Sequence, residues 1–116
     1  MTDPSDCVFC RIAAGQIPAD IVADGERWLA FRDLSPQAPT HVLVIPRDHV
    51  ESLDRLRGRG GGLAAALLEA CAEVAAVCGL DDGYRVLTNV GREGGQDVMH
   101  LHFHVLGGRR MGWPPG

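Results

Sequence analysis

Asp97-Val98-Met99-His100-Leu101-His102-Phe103-His104-Val105-Leu106 decides both the fold and the chemistry of this chain. Three histidines alternate with Leu101, Phe103 and Val105, and alternation sustained over this length predicts a half-buried β-strand. His100, His102 and His104 then project from one face, while the apolar residues project from the other into a core. Neighbouring imidazoles are expected about 7 Å apart, two residues of strand rise. A second proton on such a row is disfavoured by repulsion, so at least one ring stays neutral near pH 7. A neutral imidazole on a rigid element serves as a nucleophile, a proton shuttle or a metal ligand.

Immediately upstream, Gly91, Gly94 and Gly95 supply backbone that can approach a ligand closely, and successive N–H groups there can cradle an anion. A tight inter-strand loop needs glycines in any case. Followed at once by three histidines, the loop favours phosphate chemistry. The residues alone leave two chemical readings open: a His-x-His-x-His zinc hydrolase, or a histidine that attacks phosphorus while its neighbours position the phosphate and pass protons.

The rest of the chain frames that stretch. Its 116 residues, 46% hydrophobic and 22% charged, fit one globular domain over residues 1–116. The net charge of −4 and the lack of a basic stripe with interleaved aromatics argue against a nucleic-acid partner. Arg55, Arg57 and Arg59 read as a solvated Gly-rich loop. Residues 1–6 lack the regions of a signal peptide, and no apolar run reaches the ~20 residues of a membrane span. A cytoplasmic protein without a membrane partner is expected, its four cysteines thiols or metal ligands rather than disulfides.

Ser5 or Asp6 can cap a short helix over Cys7–Ala14 that ends at Gly15 and carries Val8, Phe9 and Ile12 on one side. Ile21–Ala23 and Trp28–Arg32 flank Asp24-Gly25, a hairpin signal. His41–Ile45, stopped by Pro46, is a strand buried on most of its surface. Arg47–Leu56 can hold a helical turn. Leu63, Leu67, Cys71, Val74 and Cys78 form a helical stripe over Leu63–Cys78, ended by Gly79; Cys71 and Cys78 are simply core residues of it. Tyr84–Val90 is a further strand. The order predicts an α+β domain: an antiparallel sheet of about five strands with two helices, both on one face.

His100-Leu101-His102-Phe103-His104-Val105-Leu106 has the His-φ-His-φ-His-φ-φ form that resembles the signature of the histidine-triad (HIT) superfamily. The remainder is similar to its Hint branch. The similarity runs through Phe31–His41, Val44-Ile45-Pro46, Gly94-Gly95-Gln96 and the ending Gly107-Gly108-Arg109-x-Met111-x-Trp113-Pro114-Pro115-Gly116. The resemblance implies a HIT fold and a hydrolase that cleaves the P–N bond of purine nucleoside 5′-phosphoramidates through a covalent nucleotidyl-histidine. It makes His102 the nucleophile, His104 and Asn89 contacts to phosphate or leaving group, and His41 the completion of the network around the triad. Backbone N–H groups near Gly95 and Asp97 would meet phosphate oxygens, and Asp33 the ribose hydroxyls. Val8, Phe9, Ile12, Phe31 and Leu34 would sandwich the purine. Asp97 departs from the pattern, standing where Hint proteins carry serine or threonine; a carboxylate there repels phosphate unless it points away or is protonated.

Cys7-x-x-Cys10 alone is two ligands short of a metal site. Resemblance to zinc-containing bacterial members and to galactose-1-phosphate uridylyltransferases adds His49 and His100, giving a structural zinc in a closed Cys₂His₂ site. Two buried thiols without metal are the alternative. The resemblance also implies a homodimer joining two sheets into one of ten strands, with Trp113 of one subunit reaching the other's leaving-group site. Three other functions compete: a dinucleoside polyphosphate hydrolase of the same superfamily, a nucleotide-binding interaction protein with incidental turnover, and a zinc hydrolase using the whole triad.

Overall fold

The computed structural model describes residues 6–116. Five strands, β1 (Ile21–Asp24), β2 (Trp28–Arg32), β3 (Thr40–Pro46), β4 (Tyr84–Thr88) and β5 (Phe103–Gly107), form one antiparallel sheet in the order β1-β2-β3-β5-β4. Helix α1 spans Val8–Ala13 and α2 spans Leu63–Val77, with one 3-10 turn at Leu53–Leu56. The predicted five-stranded α+β architecture with two helices is therefore present.

β3 lies at the centre, with residues 41–46 all buried. Alternation along β2 and β3 sends successive side chains to opposite faces. Trp28, Ala30, Val42 and Val44 join Phe103 and Val105 of β5 against Leu63, Leu67, Cys71 and Val74 of α2. Leu29, Phe31, Leu43 and Ile45 face the other way and pack with Cys7 and Phe9 at α1. The expectation that both helices share one face is thus corrected. The sequence underrates Leu29, Phe31, Leu43 and Ile45, a second apolar face that needs its own cover.

α2 matches its stripe: Leu63, Leu67, Cys71 and Val74 are buried, whereas Glu69 and Glu73 are exposed. Gly79 ends it with φ near 70°, its N–H on Ala76 O (3.1 Å), while Leu80 N–H reaches Ala75 O (3.0 Å). The cap of α1 is Cys7, whose Sγ accepts from Cys10 N–H at 3.4 Å, and not Asp6; Ser5 lies outside the described residues. Strand β4 ends at Thr88, two residues short of Val90.

The largest departure concerns the opening stretch. Strand β5 starts only at Phe103, so His100 and His102 precede it and only His104 lies on it. The β3–β5 ladder ends at the pair Val44–Phe103. Two residues on, Pro46 has no N–H to offer, and its carbonyl is taken by His100 Nε2 at 2.9 Å. Leu101 N–H turns instead to Val50 O at 2.6 Å. The alternation of faces survives: Leu101, Phe103 and Val105 are buried in the α2 core.

Candidate active site and metal seat

All four site histidines, His41, His100, His102 and His104, lie on the α1 side of the sheet or at its edge. Their rings are closer than strand rise predicts: His102–His104 and His41–His104 centroids are each 5.1 Å apart. Aligned hydrogen bonds assign the tautomers. Gln37 N–H donates to His41 Nδ1 (3.0 Å), so the His41 proton sits on Nε2 and is donated to His104 Nδ1 (2.8 Å). His104 must then carry its proton on Nε2, which meets Asn89 Oδ1 at 3.1 Å. Asn89 Nδ2 in turn donates to Gly94 O. Each member is satisfied only if both rings are neutral. Burial lowers the pKa of His41, against the pull of Asp33, and lowers that of His104 to about 4, helped by its neighbours His102 and His41.

His102 is held differently. Its Nδ1–H donates to the His100 carbonyl at 2.7 Å, which leaves the Nε2 lone pair without a proton. Nε2 faces a pocket of about 330 Å³, the size of a small-molecule site. Val8, Phe9, Ile12, Phe31, Asp33, Leu34, Asp97, His102 and His104 line it, nine of the predicted site residues. Asn89 and Gly95 border it through the chain just described, the Cβ position of Gly95 being 3.8 Å from Asn89 Nδ2. Gly95 N–H donates to Arg92 O at 3.1 Å, a commitment to its own turn that the expected phosphate contact did not foresee. Trp113 is 84% exposed and lies outside the pocket lining of its own chain.

Leu43, Val98 and the segment Ile17–Asp20 also line the pocket and were missed. Leu43 was legible, since alternation on β3 puts it on the side of His41; nothing local marks Ile17–Asp20. Gln37, whose backbone N–H sets the His41 tautomer, and Gln96, whose amide spans Glu51 O (2.8 Å) and Val98 O (3.0 Å), act through hydrogen bonds no motif displays. Gly94 is obligatory because a Cβ there would overlap the Val90 backbone. Asp97 Oδ1 accepts the next residue's N–H (Val98, 2.9 Å) and stands 3.9 Å from His102 Nε2.

The second constellation gathers Cys7, Cys10, His49 and His100, with ligand atoms all within 4.8 Å of one another. Cys7 Sγ and Cys10 Sγ lie 3.2 and 3.4 Å from His100 Nδ1, and Cys10 Sγ lies 3.2 Å from His49 Nδ1. Tetrahedral zinc with ordinary Zn–S and Zn–N bonds sets such edges at about 3.6 Å. The His100 Nε2–H bond to Pro46 O turns the Nδ1 lone pair toward the thiols, as a ligating histidine requires. Without a cation, burial and Cys7 push the Cys10 thiol up to about 11; a bound cation reverses that balance. The four residues are compatible with zinc.

Asp33, His41 and His104 also converge, with His41 Nε2 3.5 Å from Asp33 Oδ2. They do not suit a metal. Gln37 N–H occupies the His41 Nδ1 lone pair, so the Nε2 that faces Asp33 carries a proton.

A HIT domain family model matches residues 14–111. The chain belongs to the HIT family. It is 47% identical over 111 residues to an uncharacterised HIT-like protein of Synechococcus elongatus, covering 96% of this chain and 97% of that one. It is 46% identical over 116 residues to a 14 kDa zinc-binding protein of Zea mays, covering 98% and 91%. Among solved structures, a HIT family hydrolase from Legionella pneumophila superposes with a TM-score of 0.91 at 46% identity, covering 96% of this HIT chain and 100% of the other. A histidine triad protein from Clostridium difficile superposes at 0.89 with 39% identity, covering 96% and 97%. No helix of the described residues is long and apolar enough to cross a membrane.

Proposed function

We propose that this chain is a HIT hydrolase of the Hint kind that cleaves the P–N bond of purine nucleoside 5′-phosphoramidates. The observation that carries the proposal is the His102 imidazole, tautomerically fixed by the His100 carbonyl with its Nε2 lone pair toward the pocket. Nε2 attacks the α-phosphorus, the P–N bond breaks, and the amine leaves with a proton. Water then cleaves the N–P bond of the nucleotidyl-histidine, releasing the nucleoside monophosphate and the neutral imidazole.

The remaining roles follow from the pocket. Val8, Phe9, Ile12, Phe31 and Leu34 give an apolar slot for a purine. Asp33 meets the ribose hydroxyls through Oδ2, since its Oδ1 already accepts from Ser35 N–H at 2.8 Å. His104 Nε2–H can turn from Asn89 to a phosphoryl oxygen or to the departing amine. Zinc in the seat of Cys7, Cys10, His49 and His100 would supply cross-linking of the N-terminal segment to the sheet rather than a Lewis acid. That assignment makes His100 a ligand and leaves His102 to react. A homodimer, with Trp113 reaching the partner's site, and a cytoplasmic location complete the proposal.

Intact-mass analysis after rapid mixing with adenosine 5′-phosphoramidate tests it. An adenylyl adduct should form in the wild type and in His104→Ala, and be missing in His102→Ala. Turnover preserved in His102→Ala would sink the covalent account. Faster hydrolysis of a diadenosine polyphosphate than of the phosphoramidate would move the substrate class to the dinucleoside hydrolases.

A further inference from the structure

Phe9 stands on α1 between Cys7 and Cys10, two of the four residues of the metal seat. It is the buried residue of that six-residue helix, and a helix so short has little stability of its own. Its ring meets three others edge to face: Phe31 at 5.5 Å between centroids, His100 at 5.9 Å, and His102 at 5.2 Å with an interplanar angle of 84°. Contacts of this geometry orient rings as well as bury them.

A second link runs from the seat to the same imidazole. The His100 ring presents Nδ1 to both thiols, and the carbonyl of the same residue accepts His102 Nδ1–H at 2.7 Å. Both holds on His102 that touch neither His41 nor His104 therefore come from parts that close the seat: Phe9 through α1, and the His100 peptide. The chain Gln37–His41–His104–Asn89 is anchored elsewhere and shares no hydrogen bond with α1 or with the cysteines.

We propose that Phe9 is a positioning residue for His102, and that closure of the Cys7–Cys10–His49–His100 seat sets where Phe9 and the His100 carbonyl hold that ring. The consequence for catalysis presupposes the nucleotidyl-transfer reading of His102; the structural link does not. With the seat open, α1 keeps only the packing of Phe9, and His102 loses the constraint on its tautomer and tilt. A nucleophile displaced by a fraction of an ångström loses rate before it loses ligand.

The test uses the full chain with ¹⁵N-labelled histidine at one fixed neutral pH, loaded with Zn²⁺ or stripped with EDTA. In the loaded wild type, His102 should show one tautomer, protonated at Nδ1. Stripped wild type and loaded Phe9→Leu should both show His102 moved toward a mixture, with the ring signals of His104 unchanged; loaded Phe9→Tyr should retain the wild-type signature. In the loaded proteins, Phe9→Leu should slow adenylyl-adduct formation about tenfold or more while AMP affinity changes less than about threefold. Identical His102 signals in loaded wild type and loaded Phe9→Leu would overturn the proposal, as would rate and affinity falling together. Should stripping unfold the chain, seen as lost far-UV dichroism, loaded Phe9→Leu alone decides. Failure of the wild type to form any adduct would remove the proposed reaction, whereas the ring signals would still decide the link from the seat to His102.

Discussion

His41 donates its Nε2 proton to His104 Nδ1 across 2.8 Å, and the direction of that bond is imposed by Gln37 N–H on the far side of the His41 ring. A backbone amide, which cannot titrate, thereby sets the proton positions of two imidazoles in sequence. The end of the chain is an N–H on His104 Nε2 beside the pocket.

Removal of the middle ring should leave His104 free to adopt either tautomer. His41→Ala is expected to lower kcat for adenosine 5′-phosphoramidate by about tenfold or more, at the low end of what a positioned proton carrier contributes. AMP affinity, measured by calorimetry, should change little, because His41 does not line the pocket. An unchanged kcat would remove the chain from the mechanism.

Protons should destabilise this fold earlier than they destabilise an ordinary domain. His104 is held near 4 and His41 below its usual 6.5, so between those values the unfolded chain binds protons that the folded chain refuses. The contribution of both rings is fully present above pH 6.5 and is lost as pH falls toward 4. Urea midpoints at pH 7, 6, 5 and 4 should fall steadily, and His104→Gln should flatten the slope. Equal slopes for wild type and variant would contradict the burial argument.

Asp97 brings a negative charge to 3.9 Å from His102 Nε2, at a position 84% exposed. Through water such a charge opposes an incoming phosphate by about 1 kcal/mol, or about fivefold in affinity. Asp97→Asn should lower the KM for a nucleoside phosphoramidate by up to about fivefold at low ionic strength, and the gain should shrink as salt screens the pair. A higher KM in the variant would mean that Asp97 makes a favourable contact instead.

The seat should be worth more to stability than to the reaction's chemistry. Metal analysis is expected to find about one zinc per chain in wild type and little in Cys10→Ser. Chelation should lower the melting temperature of the wild type by about 5 °C or more and leave Cys10→Ser unmoved. Equal melting before and after EDTA would leave the four residues as thiols and imidazoles packed without metal.

Much of this was legible locally. The alternation of Leu101, Phe103 and Val105 with the histidines, the apolar run His41–Ile45, and the stripe Leu63–Val74 each state their structure through periodicity, because burial acts on one face at a time. Glycines at 79 and 94 likewise announce a helix stop and a close approach. Periodicity says nothing of which element covers which face, so the placement of α1 opposite α2 was not available from it.

The sequence by itself determined the elements, the face on which the histidines lie and the identity of the residues that can attack, ligate or bind. Tertiary structure alone decided the strand's start at Phe103, through a proline carbonyl on β3 that the His100 ring captures. It also decided the tautomers, through partners such as Gln37, 67 positions before His104 in the chain. Hydrogen bonds between distant segments carry no period along the chain, and they exist only once the sheet has brought those segments within 3 Å.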